Sequence, residues 1–240
     1  MPQVQGLLFD VFGTVLDWRS SIEDYLAKKA PVNFKISSHL WKQIAEDWRT
    51  EYYKFAEHNS SDENVKDEFI TLDKYQKVLI RQLVEKYNIS DIWSDEELDD
   101  IANVWHHLRP WNDSVQGIKL LKSKYIVASL SNGNVRIMVD VAKHAGLLWD
   151  IIFGADIFKT YKPSSKVYLG ASEYLDIRPA NLVMVAAHIY DLDAAKALGF
   201  QTAYIPRPGE DNGLTVTADQ VDYFATSLID LYDQLEADRG

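Results

Sequence analysis

Leu7-Leu8-Phe9-Asp10-Val11-Phe12-Gly13-Thr14-Val15-Leu16-Asp17 is the stretch on which the reading of this chain turns. An apolar run ends in a carboxylate and then passes through a glycine, the pattern of a buried strand that stops and turns. Gly6–Val11 is therefore a first strand, and Tyr125–Ser129, Ile151–Gly154, Leu182–Ala187 and Thr202–Ile205 are further apolar runs of strand length. Helical patterns separate the later runs. Val135, Met138, Val139 and Ala142 follow helical spacing with Gly146 as a C-cap, Val167, Ala171 and Tyr174 repeat it, and Leu228, Leu231, Tyr232 and Leu235 predict a terminal amphipathic helix. Strands alternating with helices predict an α/β fold, a Rossmann-like three-layer core around a parallel sheet. In such sheets ligands bind at the C-terminal strand ends, where Asp10 would stand. A lone Asp in that place more often simply caps a turn.

Between the first strand and the second the pattern changes. From Ser20 to Leu108 the spacing is helical, with stripes Leu40–Ile44–Trp48–Tyr52, Leu72–Tyr75–Leu79–Leu83 and Leu98–Ile101–Trp105–Leu108. Ser20 with Glu23, and Ser94 with Glu97, read as capping boxes. The polar stretch His58–Asn64 reads as a loop, and Arg109-Pro110-Trp111-Asn112 as the return to the main domain. The expected organisation is a catalytic core of residues 1–17 and 109–240 with an inserted helical cap domain of residues 18–108.

The formal charge of −11 argues against a nucleic-acid partner, which needs a clustered basic face. It also means that an anionic substrate must be captured by a local positive pocket. With no cysteine, disulfides, thiolate metal sites and cysteine nucleophiles are excluded. The start Met1-Pro2-Gln3-Val4 lacks the marks of a signal peptide, and the apolar runs are too short to span a bilayer, so a cytoplasmic protein without a membrane partner is expected.

Three more clusters follow strand ends. Ser129-Leu130-Ser131-Asn132-Gly133-Asn134 is an anion cradle or an ordinary N-cap cluster. Lys162, in Tyr161-Lys162-Pro163, stands before a proline in an extended stretch, and Lys166 reads as a solvated surface lysine. Ala186-Ala187-His188-Ile189-Tyr190-Asp191 holds a histidine that could be an ordinary loop residue and an aspartate that could be an N-cap. None is decisive alone. Their order is informative, because parallel strands gather Asp10, Ser131-Asn132, Lys162 and Asp191 at one sheet edge, where a lysine keeps a carboxylate ionised as a nucleophile must be.

Taken together, these residues resemble the haloacid dehalogenase superfamily along nearly the whole chain. Phe9-Asp10-Val11-Phe12-Gly13-Thr14, Ser131-Asn132-Gly133, Lys162-Pro163 and His188-Ile189-Tyr190-Asp191 match its four motifs in order. Phosphatases of that superfamily carry a second Asp where Phe12 stands here, and paired acidic residues near the fourth motif that complete a Mg²⁺ site. The (S)-2-haloacid dehalogenase (type II) branch is more similar: it has an aromatic residue at the place of Phe12, a Trp-Arg pair matching Trp48-Arg49, and a tyrosine at the place of Tyr168. Its fourth motif reads Ser-Ser-Asn where this chain has Ala186-Ala187-His188, which leaves the positioning of water open.

The resemblance implies hydrolytic dehalogenation of small 2-haloalkanoic acids through an ester on Asp10, with no metal and no cofactor. Ser131 and the loop amides near Val11 and Phe12 would hold the substrate carboxylate, while Arg49 and Asn132 would receive the halide. Lys162 would balance charge, and Asp191 with His188 would orient or deprotonate water. Thr14 and Tyr168 would position these groups. Phe12, Trp48, Tyr52 and Tyr190 are candidate pocket walls, though ordinary core is the commoner role for such aromatics. A homodimer is compatible with the resemblance. The rival readings are a Mg²⁺-dependent phosphatase that has lost its usual acid, and a non-catalytic binding protein on the same scaffold.

Overall fold

The computed structural model describes residues 2–32, 34, 37–60 and 69–239. In chain order, β1 (Gly6–Phe9) and β2 (Leu16–Asp17) precede the helices α1 (Trp18–Lys29), α2 (Ser38–His58), α3 (Leu72–Lys86) and α4 (Asp95–Ala102). Then come β3 (Arg109–Pro110), α5 (Ser114–Lys122), β4 (Ile126–Ser131), α6 (Val135–Ala145), β5 (Ile151–Gly154), α7 (Ala155–Phe158) and α8 (Ser165–Leu175). The chain closes with β6 (Leu182–Ala186), α9 (Ile189–Ala197), β7 (Gln201–Tyr204), β8 (Tyr223–Phe224) and α10 (Leu228–Ala237).

Among the described residues the main sheet has six strands in the order β5-β4-β1-β6-β7-β8. Each neighbouring pair in it is parallel. The first strand is central because it is buried on both faces: Leu7 and Phe9 point into one hydrophobic layer and Leu8 into the other. The first layer is closed by α5, α6 and α10 through Leu121, Met138 and Leu231, the second by α8 and α9 through Ala171 and Leu192. This is the expected three-layer α/β core. From β1 the chain crosses to β4 on one side and later returns to β6 on the other, so the order reverses at β1 and opens a crevice at its C-terminal end.

The insertion leaves and re-enters the core side by side. Leu16–Asp17 pairs antiparallel with Arg109–Pro110, a two-residue ribbon under the four helices. Those helices bury the anticipated stripes: Ile44, Trp48, Tyr52, Leu72, Leu79, Leu83, Leu98, Ile101, Trp105 and Leu108 are all core. They belong to the same cluster as Phe9 and Phe12, so the apolar interior is continuous from sheet to cap.

Several expectations need local correction. The first strand stops at Phe9, and the second runs Ile126–Ser131. The strand β8 was not anticipated, nor was the β2–β3 ribbon. Ser20 does not open a capping box, because Asp17 is the N-cap of α1 and its Oδ1 accepts from the Ser20 amide at 3.0 Å. The Ser94–Glu97 box is present in both halves. In α6 the inward face is Ile137, Met138, Val141, Ala142 and Ala145, so Val135 and Val139 lie beside it, and Gly146 closes the helix at φ 72°. Tyr174 faces outward from α8, and Lys166 is exposed as expected. Helix α2 runs to His58, and residues 61–64 of the anticipated loop lie outside the described residues. No described helix is long and apolar enough to cross a membrane.

Candidate active site

The peptide bond after Phe9 carries the chain out of the sheet, and the next residue is Asp10, whose amide still bonds to the Val185 carbonyl of β6 at 2.9 Å. Its carboxylate is fixed on both oxygens. Lys162 Nζ donates to Oδ1 at 2.9 Å, Thr14 Oγ1 donates to Oδ2 at 2.8 Å, and His188 Nδ1 lies 3.2 Å from Oδ2. Thr14 is itself positioned one turn along the loop, where its hydroxyl also accepts from the Ala187 amide at 2.9 Å. Lys162 bridges to Asp191, which in turn accepts from the Tyr168 hydroxyl at 2.5 Å. Thus the ends of β1 and β6 and the start of α8 converge on one carboxylate, as parallel strands dictate.

Burial by itself would raise the pKa of Asp10. The ammonium of Lys162 and the imidazole of His188 overcome that and hold the carboxyl well below its usual range. Burial would likewise discharge Lys162, but Asp10 and Asp191 push its pKa up to about 12. Asp191 is shifted the other way, upward, because it is fully buried and has Asp10 close by. At neutral pH the site therefore holds an ionised carboxylate fixed in orientation on both oxygens.

Across the crevice stands Arg49 of α2, buried with its charge intact. Its Nη2 donates to the Phe12 carbonyl at 3.1 Å and to the Tyr53 hydroxyl at 2.6 Å. The guanidinium lies 4.1 Å from the Tyr53 ring centre and 4.7 Å from that of Tyr52, so the aromatic faces share in holding the cation. Its Nε and Nη1 are buried without any hydrogen-bond partner. Leaving a buried donor unpaired costs about 1–3 kcal/mol, so these two nitrogens favour an anion placed against them.

His188, at the N-cap of α9, links the two sides. Its Nε2 lies 2.8 Å from Glu210 Oε2 and 3.1 Å from the Tyr53 hydroxyl. Burial alone would lower the imidazole pKa, but bonding to Asp10 and Glu210 raises it to about 9. In the resting site the ring is therefore an imidazolium between two carboxylates. Beside it a cleft of about 310 Å³ opens to solvent, lined by Arg49, Tyr53, His188, Tyr190 and Glu210 among others.

Asp10, Thr14, Lys162, Tyr168, His188 and Asp191 thus form one connected network, with Arg49 joined to it through Tyr53. Val11 lies in the turn, where its carbonyl accepts from Val15 and Leu16. Ser131 is buried and its Oγ accepts from the Gly133 amide at 3.0 Å. Asn132 turns both ends of its amide toward the backbone of Lys162, accepting at 2.7 Å and donating at 3.4 Å, so it braces the lysine. Phe12 packs edge-on against Tyr52 and Trp105, and Trp48 is deep core bonded to Gln76. Tyr190 is partly exposed at the cleft rim with its ring near Tyr53 and His188, not in a dry wall. Two residues were missed. Tyr53 stands one helical turn beyond Arg49, and Glu210 follows the fifth predicted strand in a loop that carries Pro206 and Pro208 and no apolar period.

Comparison with known proteins agrees with this architecture. The haloacid dehalogenase-like hydrolase family matches residues 4–199. The (S)-2-haloacid dehalogenase 4A of Burkholderia cepacia is 28% identical over 215 residues, spanning 87% of this chain and 86% of that protein. The crystal structure of an L-2-haloacid dehalogenase is similar with a TM-score of 0.84 at 38% identity, covering 97% of this chain and 99% of the other. A defluorinating L-2-haloacid dehalogenase is similar with the same TM-score at 37% identity, covering 97% and 95%.

Proposed function

Since the chain belongs to the haloacid dehalogenase-like hydrolases, we propose that it hydrolyses the carbon–halogen bond of small 2-haloalkanoic acids, of the (S) series, with Asp10 as nucleophile. The observation that carries this reading is the pairing of an ionised, aimed carboxylate with a buried Arg49 whose Nε and Nη1 have no partner. Residues 18–108 act as the cap that brings Arg49 over the core of residues 1–17 and 109–240.

Asp10 attacks the halogen-bearing carbon in line. The carbon–halogen bond breaks, the halide leaves with the bonding pair toward Arg49, and an ester forms on the carboxylate. Donors that meet charge only as it develops stabilise the transition state more than the ground state. Ser131 and the amides of Val11 and Phe12 hold the substrate carboxylate, and Tyr190 stands at the entrance. Water then adds to the ester carbonyl of Asp10, Lys162 balances the negative charge that grows on Oδ1, and a 2-hydroxy acid of inverted configuration departs. Tyr168 and Asp191 keep Lys162 in place, and Thr14 keeps Asp10 aimed.

A reaction without a metal ion is favoured by the donor set. Ala186 ends β6 and Ala187 and His188 follow it where an acidic pair would be needed, and the group between Asp10 and Asp191 is the ammonium of Lys162. Among the described residues no cluster of three or more His, Asp or Glu is arranged to hold a metal. Phe12 in place of an acid argues equally against phosphoryl transfer.

Halide release from 2-chloropropionate in EDTA, beside p-nitrophenyl phosphate hydrolysis in Mg²⁺, tests the proposal. Halide release that persists in EDTA is the expected result. Phosphatase activity alone would overturn it, and silence in both assays would favour a binding protein.

A further inference from the structure

His188 is held from both sides, and its second holder, Glu210, lies beyond the residues that the family match covers. We propose that Glu210 is a positioning residue for the second half-reaction: it fixes the ring of His188 so that Nδ1 serves as the base delivering water to the Asp10 ester. The inference rests on the dehalogenase reading above.

The position of Glu210 is heavily built. Its side chain is 5% exposed, with Oε2 on His188 Nε2 at 2.8 Å and Oε1 accepting from Trp18 Nε1 at 2.7 Å. The carboxylate packs directly on Gly13, where a Cβ would lie 2.7 Å from Glu210 Cδ; Gly13 also has φ +92°, so no other residue suits that turn. The loop carrying Glu210 is tied down on either side. Arg207 donates to the Thr14 carbonyl at 2.9 Å and grips Asp113 with both terminal nitrogens at 2.7 and 3.0 Å. Arg19 donates to the Gly209 carbonyl at 2.9 Å, and Asp211 accepts from the Ile189 amide at the start of α9 at 2.8 Å. A buried carboxylate costs free energy, offset here by His188 on Oε2 and by Trp18 and the Arg19 guanidinium, 3.6 Å away, on Oε1.

The charge logic follows from the groups that face the ring. Asp10 and Glu210 bond it directly, Asp211 lies on the same loop, Tyr53 and Arg49 approach from α2, Tyr190 shares its helix, and Lys162 lies across Asp10. While Asp10 is a carboxylate, both ring nitrogens carry protons. Alkylation of Oδ2 removes that anion, breaks the bond to Nδ1, and lets the Nδ1 proton pass to water in the cleft. This is the one proton released per turnover alongside the halide. Glu210 stays charged and keeps the other proton on Nε2, so the tautomer that remains presents a bare Nδ1 toward the ester.

Water then adds to Cγ as its proton moves to Nδ1. The tetrahedral intermediate collapses by breaking the bond from Cγ to the hydroxy-acid oxygen, which takes that proton. The carboxylic proton left on Asp10 returns to Nδ1, and the imidazolium–carboxylate pair is restored. Nucleophile, histidine and second carboxylate form a triad whose members follow β1, β6 and β7 in turn.

Pre-steady-state kinetics of Glu210→Gln, Glu210→Asp and His188→Asn test this. In Glu210→Gln one halide per site should still be released in a burst, while hydroxy-acid formation falls roughly 10- to 100-fold. kcat and KM should fall together with kcat/KM unchanged, and intact mass should show the ester accumulating. The acid limb of kcat should move to lower pH, because an anion that favours the imidazolium is gone. Glu210→Asp should recover part of the rate, and His188→Asn should retain the burst and lose turnover. A loss of burst in proportion to kcat in Glu210→Gln, an unmoved pH limb, or His188→Asn turning over at the wild-type rate would overturn the assignment. Absence of a halide burst in the wild type would instead reject the dehalogenase reading itself.

Discussion

On the core side of the site every carboxylate oxygen of Asp10 and Asp191 has a partner, whereas on the cap side Arg49 keeps two buried nitrogens unpaired. The two regions face different tasks. A nucleophile must be ionised and aimed before substrate arrives, and saturation with donors achieves that. A halide acquires its charge only as the bond breaks, so the donors that meet it have to be held open in advance. The core groups hang from the sheet, and Arg49 hangs from α2 of the insertion.

This contrast can be broken most severely at Asp10. Asp10→Asn should lower halide release by at least about 10⁴-fold, the scale seen when a nucleophile acting within a unit is removed; near-normal turnover would end the account. Arg49→Met comes next, with kcat down about 10²–10³-fold. It should also separate the two regions: bromide should raise the thermal midpoint of the wild type and leave that of Arg49→Met unmoved, since only a folded halide site gains from the ligand.

A smaller effect tests the imidazolium joining the regions. His188 has its pKa raised to about 9, so its contribution to stability is full below about 6.5 and is lost as pH rises through about 9. Urea unfolding at pH 6 and pH 10 should differ by about 3 kcal/mol more in the wild type than in His188→Asn. The smallest effect is expected far from the chemistry, at another of the cap–core ties. There His106 lies 3.0 Å from Asp73 of α3 and 2.9 Å from Asp140 of α6. His106→Gln should lower the thermal midpoint by about 2–4 °C and leave kcat unchanged; a fall in kcat would mean that cap seating at this distance governs turnover.

Most of the core-side half was legible in the residue order. Strands buried on both faces read as continuous apolar runs, and three of them lead into site residues: Asp10 after β1, Ser131 at the end of β4 and His188 after β6. The strand β8 escaped because two residues, Tyr223 and Phe224, carry no period. Ser20 was misread because Asp17, three residues earlier, offers the same capping chemistry. The cap side was less legible for a different reason. Arg49 was found only through its resemblance to a Trp-Arg pair, and nothing local says that its nitrogens stay open, since that depends on which aromatic rings α2 meets. Asn132 illustrates a related point, a polar residue in a motif whose amide also braces the Lys162 backbone, a contact between positions thirty residues apart. Glu210 was hidden by a loop whose course is set by Arg207 gripping Asp113, a contact between positions far apart in the chain.

The covalent role of Asp10 is tested most directly by a single turnover in H₂¹⁸O with enzyme in excess over (S)-2-chloropropionate. If Asp10 attacks carbon and water attacks the ester, the label enters the carboxylate of Asp10, found by mass analysis of the peptide carrying it, and the first lactate formed contains none. Label in the lactate with an unlabelled Asp10 would mean that water displaces the halide directly, and would contradict the account.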